Sequence, residues 1–232
     1  MRAPAPRFAA AVFDMDGLLL DSERPVRSAW LDAAAQHGCA LQPSDYAGLI
    51  GLNHTDSHTR LRTLLGGDEA VLARVRQRAQ ELLAQRLGTR GFEPTPGAAR
   101  LLARLQRAGV ACAVASSTAP DEVRQRLQAA GLLGFFVSIC GGDEVRQGKP
   151  HPDLYALALT RLGVAAPQAG AFEDSGPGVQ SALAAGLLVV AVPDLAPPQA
   201  RWLHRCLAVL PTLDDACPHC ADWFGAACVP GP

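Results

Sequence analysis

From about residue 93 onward, strand-sized apolar runs alternate with helix-period segments, and that alternation most narrows the folds open to the chain. A helical stretch at 97–108 stops at Gly109, and VACAVASS then has the length of a strand. PDEVRQRLQAAG carries Pro120 at its start and Gly131 at its end, the asymmetry expected of helix termini. FFVSICGG, PDLYALALTRLG, QAGAFEDS, GPGVQSALAAG and LLVVAVP continue the pattern. Strands separated by helices run parallel, with helices covering both sheet faces. The expected fold class is therefore α/β, a Rossmann-like parallel sheet.

FAAAVF, at 8–13, supplies one further buried strand, but the residues after it read as helices alone. Ser22 is placed to cap SERPVRSAWLDAAAQHG, which has Pro25 in its first turn and Gly38 at its end. Asp68 is placed to cap DEAVLARVRQRAQELLAQRLG, which ends at Gly88. Shorter helices are predicted over 44–50 and 54–65, the second capped by Asn53. The simplest architecture is a sheet domain made of residues 1–20 and 90–232, with an all-helical domain, 21–89, inserted after the first strand.

Composition removes several function classes. Of 232 residues 49% are hydrophobic, enough for one sizeable core. The formal charge of -1 provides no field suited to nucleic acid or an anionic membrane. Apolar runs such as GLLVVAVP fall well short of the ~20 residues of a spanning helix. The expected partner is a small molecule, with no nucleic acid, no membrane and no obligate protein partner. The apolar run ahead of Asp14 is too short for a signal-peptide core. Seven scattered cysteines fit a reducing compartment, so cytoplasmic localisation is expected. Cys39, Cys112, Cys140 and Cys206 read as small core residues. Cys217, His219, Cys220 and Cys228 contain one CxxC without the second pair that a zinc site at this spacing requires.

Ligands of open parallel sheets bind beyond the carboxyl ends of the strands. The polar residues at those ends are Asp14 and Asp16, Ser116 and Ser117, and Glu173 and Asp174. Residues two apart in extended backbone point the same way, and two carboxylates ~4 Å apart repel by ~4 kcal/mol at an effective dielectric of 20. Positive charge must gather there. An all-oxygen donor set favours a hard cation such as Mg²⁺. A second charge is Lys149, the single lysine among 21 basic residues, a compact point charge where arginine would bring a wide fork. Such parts suit phosphoryl transfer, which is mostly positioning and charge stabilisation. Asp14 is the expected nucleophile and Asp16 the alternating general acid and base. Ser116 is expected to bond the transferring phosphoryl, and Lys149 to hold its charge.

FDMDGLLLDSE, VASS, GKPHPD and FEDSGPG resemble, in order, the four motifs of the haloacid-dehalogenase-like (HAD) phosphatase superfamily. More narrowly, the chain resembles the beta-phosphoglucomutase-like branch, with its helical cap after the first strand. The resemblance implies Mg²⁺ held by the side chains of Asp14 and Asp174 and the backbone carbonyl of Asp16, with Glu173 supporting or ligating. It also implies substrate contacts from Glu23, whose segment approaches the substrate in similar proteins, and from Ser117 and His54. Dehalogenases lack a counterpart of Asp16, and phosphonate-cleaving relatives need a cap lysine that is missing here. The mutases' histidine and arginine fall by spacing on Val26 and His54. The expected function is a Mg²⁺-dependent phosphomonoester hydrolase acting on a small phosphorylated metabolite through an aspartyl phosphate. A phosphosugar mutase and a non-catalytic phospholigand-binding protein are the alternatives. Beyond these roles, His54 and His58 read as exposed polar residues, and the arginines of VRQRAQELLAQR as a solvated helix face.

Overall fold

The computed structural model describes residues 7–50, 54–225 and 228, with the His54 side chain, like Asn53, outside the described residues. Six strands form one parallel sheet: β1 (Ala10–Phe13), β2 (Ala111–Ala115), β3 (Ser138–Cys140), β4 (Ala169–Glu173), β5 (Leu188–Ala191) and β6 (Ala208–Val209). Their order is β3-β2-β1-β4-β5-β6, so the chain reverses direction across the sheet at β1 and β4. β6 is too short, at two residues, to show in an apolar pattern, and the sequence reading lacks it.

Alternation along each strand sorts large from small side chains. Phe13, Val114, Phe172 and Val190 face one side, where the Phe13 and Phe172 rings stack at 4.7 Å. Ala10, Val12, Ala113, Ala115, Ala171 and Ala191 face the other. Small residues there let α7 (Asp153–Leu162) and α8 (Gly176–Ala184) pack close to the strands. The opposite side is covered by α5 (Ala98–Arg107), α6 (Pro120–Ala129) and the C-terminal turns, whose Cys217, Cys220 and Cys228 are buried in the same apolar cluster. Among the described residues no group of three or more His, Cys, Asp or Glu side chains is arranged to hold a metal. All seven cysteines are unbridged.

Between β1 and α5 lie four helices, α1 (Glu23–Gln36), α2 (Pro43–Ala47), α3 (His54–Leu64) and α4 (Glu69–Leu87). They enclose a separate apolar cluster that includes Ala33, Leu41, Tyr46, Leu61, Leu72 and Val75. The two connections to this layer run side by side. Asp21 N–H donates to Glu93 O and Thr95 N–H to Leu19 O, both at 2.9 Å. Asp68 caps α4 by accepting from Ala70 N–H. Ser22 does not cap α1: its φ and ψ are already helical and its hydroxyl makes no capping bond, because a capping side chain needs an extended backbone to reach the first-turn N–H groups. No helix among the described residues is long and apolar enough to cross a membrane.

Candidate active site

Register brings the strand ends together. Phe13 pairs with Val114 on one side and Phe172 on the other, which sets Asp14 level with Glu173. Asp14 N–H donates to Phe172 O at 3.1 Å. Ser116 and Ser117, Lys149 and Asp174 join Asp14, Asp16 and Glu23 in the wall of one cavity of about 370 Å³, roofed by α1–α4.

Lys149 is the hub, only 6% exposed. Its Nζ donates to Asp14 Oδ1 and, at 2.6 Å, to Glu173 Oε1. Burial works against its charge, but the Asp14 and Glu173 carboxylates outweigh that and raise its pKa. Glu173 is fully saturated by protein donors. Its Oε1 also accepts from Tyr155 Oη at 2.9 Å, and Oε2 accepts from the Ser175 N–H and hydroxyl, both at 3.1 Å. At Gly178 the start of α8 passes so close to Glu173 that any Cβ would collide with the carboxylate.

Asp16 is held differently. Its Oδ1 accepts from Arg126 Nη1 at 2.7 Å and its Oδ2 from the Thr118 hydroxyl at 3.0 Å. Arg126 is itself fixed by Glu122 and lies over the Phe92 ring. The acidic end of the pocket is thus offset by two protein cations, Lys149 and Arg126, where sequence reasoning found one. Nothing in the period of α6 distinguishes Arg126 from its neighbours; only the fold brings it to Asp16.

Asp14 and Asp174 carry what remains. Asp174 Oδ1 is buried without a hydrogen-bond partner, a costly state for a polar atom. Burial, more than the neighbouring Glu173, lifts the Asp14 pKa to about 8, and burial followed by Glu173 and Asp14 lifts Asp174 well above the carboxylate range. Gly17, at φ +84°, brings the chain against Asp174, where any Cβ would strike Oδ2. An orphaned carboxylate oxygen beside two carboxylates whose charge burial disfavours is a donor set that fits a hard cation. Two side chains suffice for Mg²⁺, which keeps waters in its shell.

On the helical layer, Glu23 faces the cavity, and burial with Asp16 nearby raises its pKa to about 7. Val26 contributes an apolar patch. His58 and Arg76 depart from expectation. His58 lines the cavity and bonds Arg76 and Glu69 in place of standing exposed. Of the α4 arginines, Arg78 and Arg86 pair with Glu81 and Asp32, whereas Arg76 turns inward to the cavity. Arg76 falls one turn from the buried Leu72 and Ala79, on the edge of the inward face of α4, which takes it off the solvated face.

A parallel sheet with carboxylates at the ends of β1 and β4 and a buried lysine between them is the arrangement of an α/β enzyme that works at its strand ends. The chain belongs to the haloacid dehalogenase-like hydrolase family, which it matches over residues 11–192. It is 35% identical over 205 residues to hexitol phosphatase A of Escherichia coli, covering 88% of this chain and 91% of that one. CbbY from Rhodobacter sphaeroides, solved in complex with phosphate, superposes with a TM-score of 0.75 at 28% identity, over 90% of this chain and 96% of that one. Beta-phosphoglucomutase from Clostridium difficile, at 19% identity and a TM-score of 0.72 over 90% and 92% of the two chains, shares the fold.

Proposed function

We propose that this enzyme is a phosphatase that hydrolyses small phosphorylated metabolites through an aspartyl phosphate on Asp14, in a core of residues 1–20 and 90–232 under a helical cap, 21–89. One observation carries the reading: Asp14 lies on the floor of a roofed cavity, held by a buried lysine that a fully saturated glutamate fixes from behind. An Asp14 oxygen attacks phosphorus, and the bond to the leaving alcohol breaks as Asp16 delivers its proton to that oxygen. Asp16 then takes a proton from the water that attacks phosphorus, and the bond to Asp14 breaks, releasing phosphate. Lys149 holds negative charge beside the transferring group, and Ser116 and Ser117 offer it hydrogen bonds. Asp14, Asp174 and the backbone carbonyl of Asp16 would hold Mg²⁺, which when bound neutralises phosphoryl oxygens. Glu173 supports that set through Lys149. At the mutase position the cavity wall is Val26, which cannot shuttle a proton to a reorienting sugar, so hydrolysis is favoured over isomerisation. The unbridged cysteines fit the reducing cytoplasm.

The test is turnover of a wide panel of phosphomonoesters. Chelated, metal-analysed protein should be inactive on all of them, and Mg²⁺ should restore activity where Ca²⁺, with its looser shell, does not. Full turnover without metal would exclude the metal-assisted reading.

Arg126 acts through Asp16 as a positioning residue. With Arg126→Gln, kcat/KM for alkyl phosphates should fall by roughly 10²-fold, the lower range for loss of an aligned general acid. An aryl phosphate whose leaving group departs without a proton should lose far less. Equal losses on both substrates would show that Arg126 serves structure alone.

A further inference from the structure

Three cations line the catalytic cavity, and only one lacks a carboxylate partner among the described residues. Lys149 is engaged by Asp14 and Glu173, and Arg126 by Asp16 and Glu122. Arg76, on α4, donates from Nη2 to His58 Nδ1 at 2.9 Å. For Nδ1 to accept, His58 must carry its proton on Nε2, and Nε2 lies 3.1 Å from Glu69 Oε1, ready to donate. The order is carboxylate outside, imidazole between, guanidinium inside. The imidazole fixes the arginine fork without neutralising it, and one N–H of the fork's five is used. Trp30, Leu49 and Leu61 share this wall, and apolar surroundings strengthen any ion pair made there. Among the described residues the one acid of the helical layer that lines the cavity, Glu23, stands by Asp16 at the phosphoryl end.

We propose that Arg76, with the Ser57 hydroxyl on the same wall, forms an anion subsite. The preferred substrates are then phosphomonoesters whose far end carries a second anionic group, a carboxylate or another phosphate. This assignment rests on the phosphatase reading above and narrows its substrate class. A neutral polyol tail offers Arg76 hydrogen-bond acceptors but leaves its charge uncompensated.

The test compares substrates that differ only at the far end: glucitol 6-phosphate with 6-phosphogluconate, and glycerol 3-phosphate with 3-phosphoglycerate. The anionic member of at least one pair should have the higher kcat/KM by roughly tenfold to a hundredfold, the scale of one charge-assisted hydrogen bond. Arg76→Gln should bring that ratio near one, and Arg76→Lys should keep part of it. Because a ratio is read, any general loss of activity in a variant cancels. Ratios at or below one in both wild-type pairs, or a preference unchanged in Arg76→Gln, would overturn the subsite while leaving the phosphatase reading intact. If no phosphomonoester turns over, that reading fails instead. The subsite is then judged by calorimetric binding of the same pairs to Asp14→Asn protein, where equal affinities within each pair reject it.

Discussion

Asp14→Asn protein is expected to fold and to lose phosphatase activity to background, a fall of at least ~10⁴-fold, the scale seen when a nucleophile is removed and only binding and electrostatics remain. The amide retains the shape of the carboxylate and can still accept a hydrogen bond from Lys149, which keeps Glu173 as its counter-ion. Charge repulsion in the site falls as well, since Asp14 is one of the groups that raise Asp174. Thermal stability should therefore hold or rise slightly while turnover disappears. The two readouts moving apart is the signature of a reacting group. Wild-type protein quenched in acid during turnover should carry phosphate on Asp14, and the Asn variant should carry none. Substantial turnover in a sample shown by mass spectrometry to be free of deamidation would remove Asp14 from the nucleophile's role.

What could be read from the sequence divides along physical lines. Helices α5 to α8 announce themselves because each is closed by a glycine or opened by a proline, and the longer strands because a buried parallel strand is apolar throughout. Asp14, Ser116, Glu173 and Asp174 are legible for the same reason: they are the first polar residues after apolar runs, and topology gathers such positions at one edge. Arg126 and Arg76 are illegible by that logic. Both sit on amphipathic helices among other arginines, where period alone cannot say which guanidinium meets Asp16 or a cavity. Tyr155, which bonds Glu173, looks in sequence like one more apolar residue of α7. His58 shows the converse failure, since a polar residue on a polar helix reads as solvated until the neighbouring helix closes over it.

The cavity is polarised by these unannounced residues. Its phosphoryl end holds four carboxylates, Asp14, Asp16, Glu23 and Asp174, and two cations paired with the first two, whereas the rest of its roof holds apolar surface and one arginine hydrogen-bonded to His58. Chemistry at the floor requires that excess of negative charge to be offset before the substrate arrives, because a phosphomonoester brings its own negative charge into a poorly solvated space. Selectivity at the roof depends on charge being left unbalanced.

The second large effect is expected at Lys149. Its ammonium fits between Asp14 and Glu173 with almost no solvent exposure, and the Tyr155 ring lies 5.3 Å from Nζ. Lys149→Ala would leave buried carboxylates without their counter-ion, a defect of about 3–5 kcal/mol when one partner of a buried pair is removed. The cost should be smaller here to the extent that Asp14 or Asp174, both already raised by burial, takes up a proton. Stability is therefore an ambiguous readout for the alanine variant, and Lys149→Arg is the sharper test. Arginine keeps the charge but replaces a point donor by a planar fork, and the space between Asp14 and Glu173 admits one donor atom, not a plane. Either Glu173 or the fork must move, and the charge beside the transferring phosphoryl moves with it. Loss of one preorganised charge contact of this kind costs roughly 10²–10³ in kcat. The loss should appear in kcat more than in KM, because the contact strengthens as charge shifts onto the phosphoryl oxygens. Turnover by the arginine variant within about threefold of wild type would mean that charge alone suffices at this position and that the geometry of a point donor is not required.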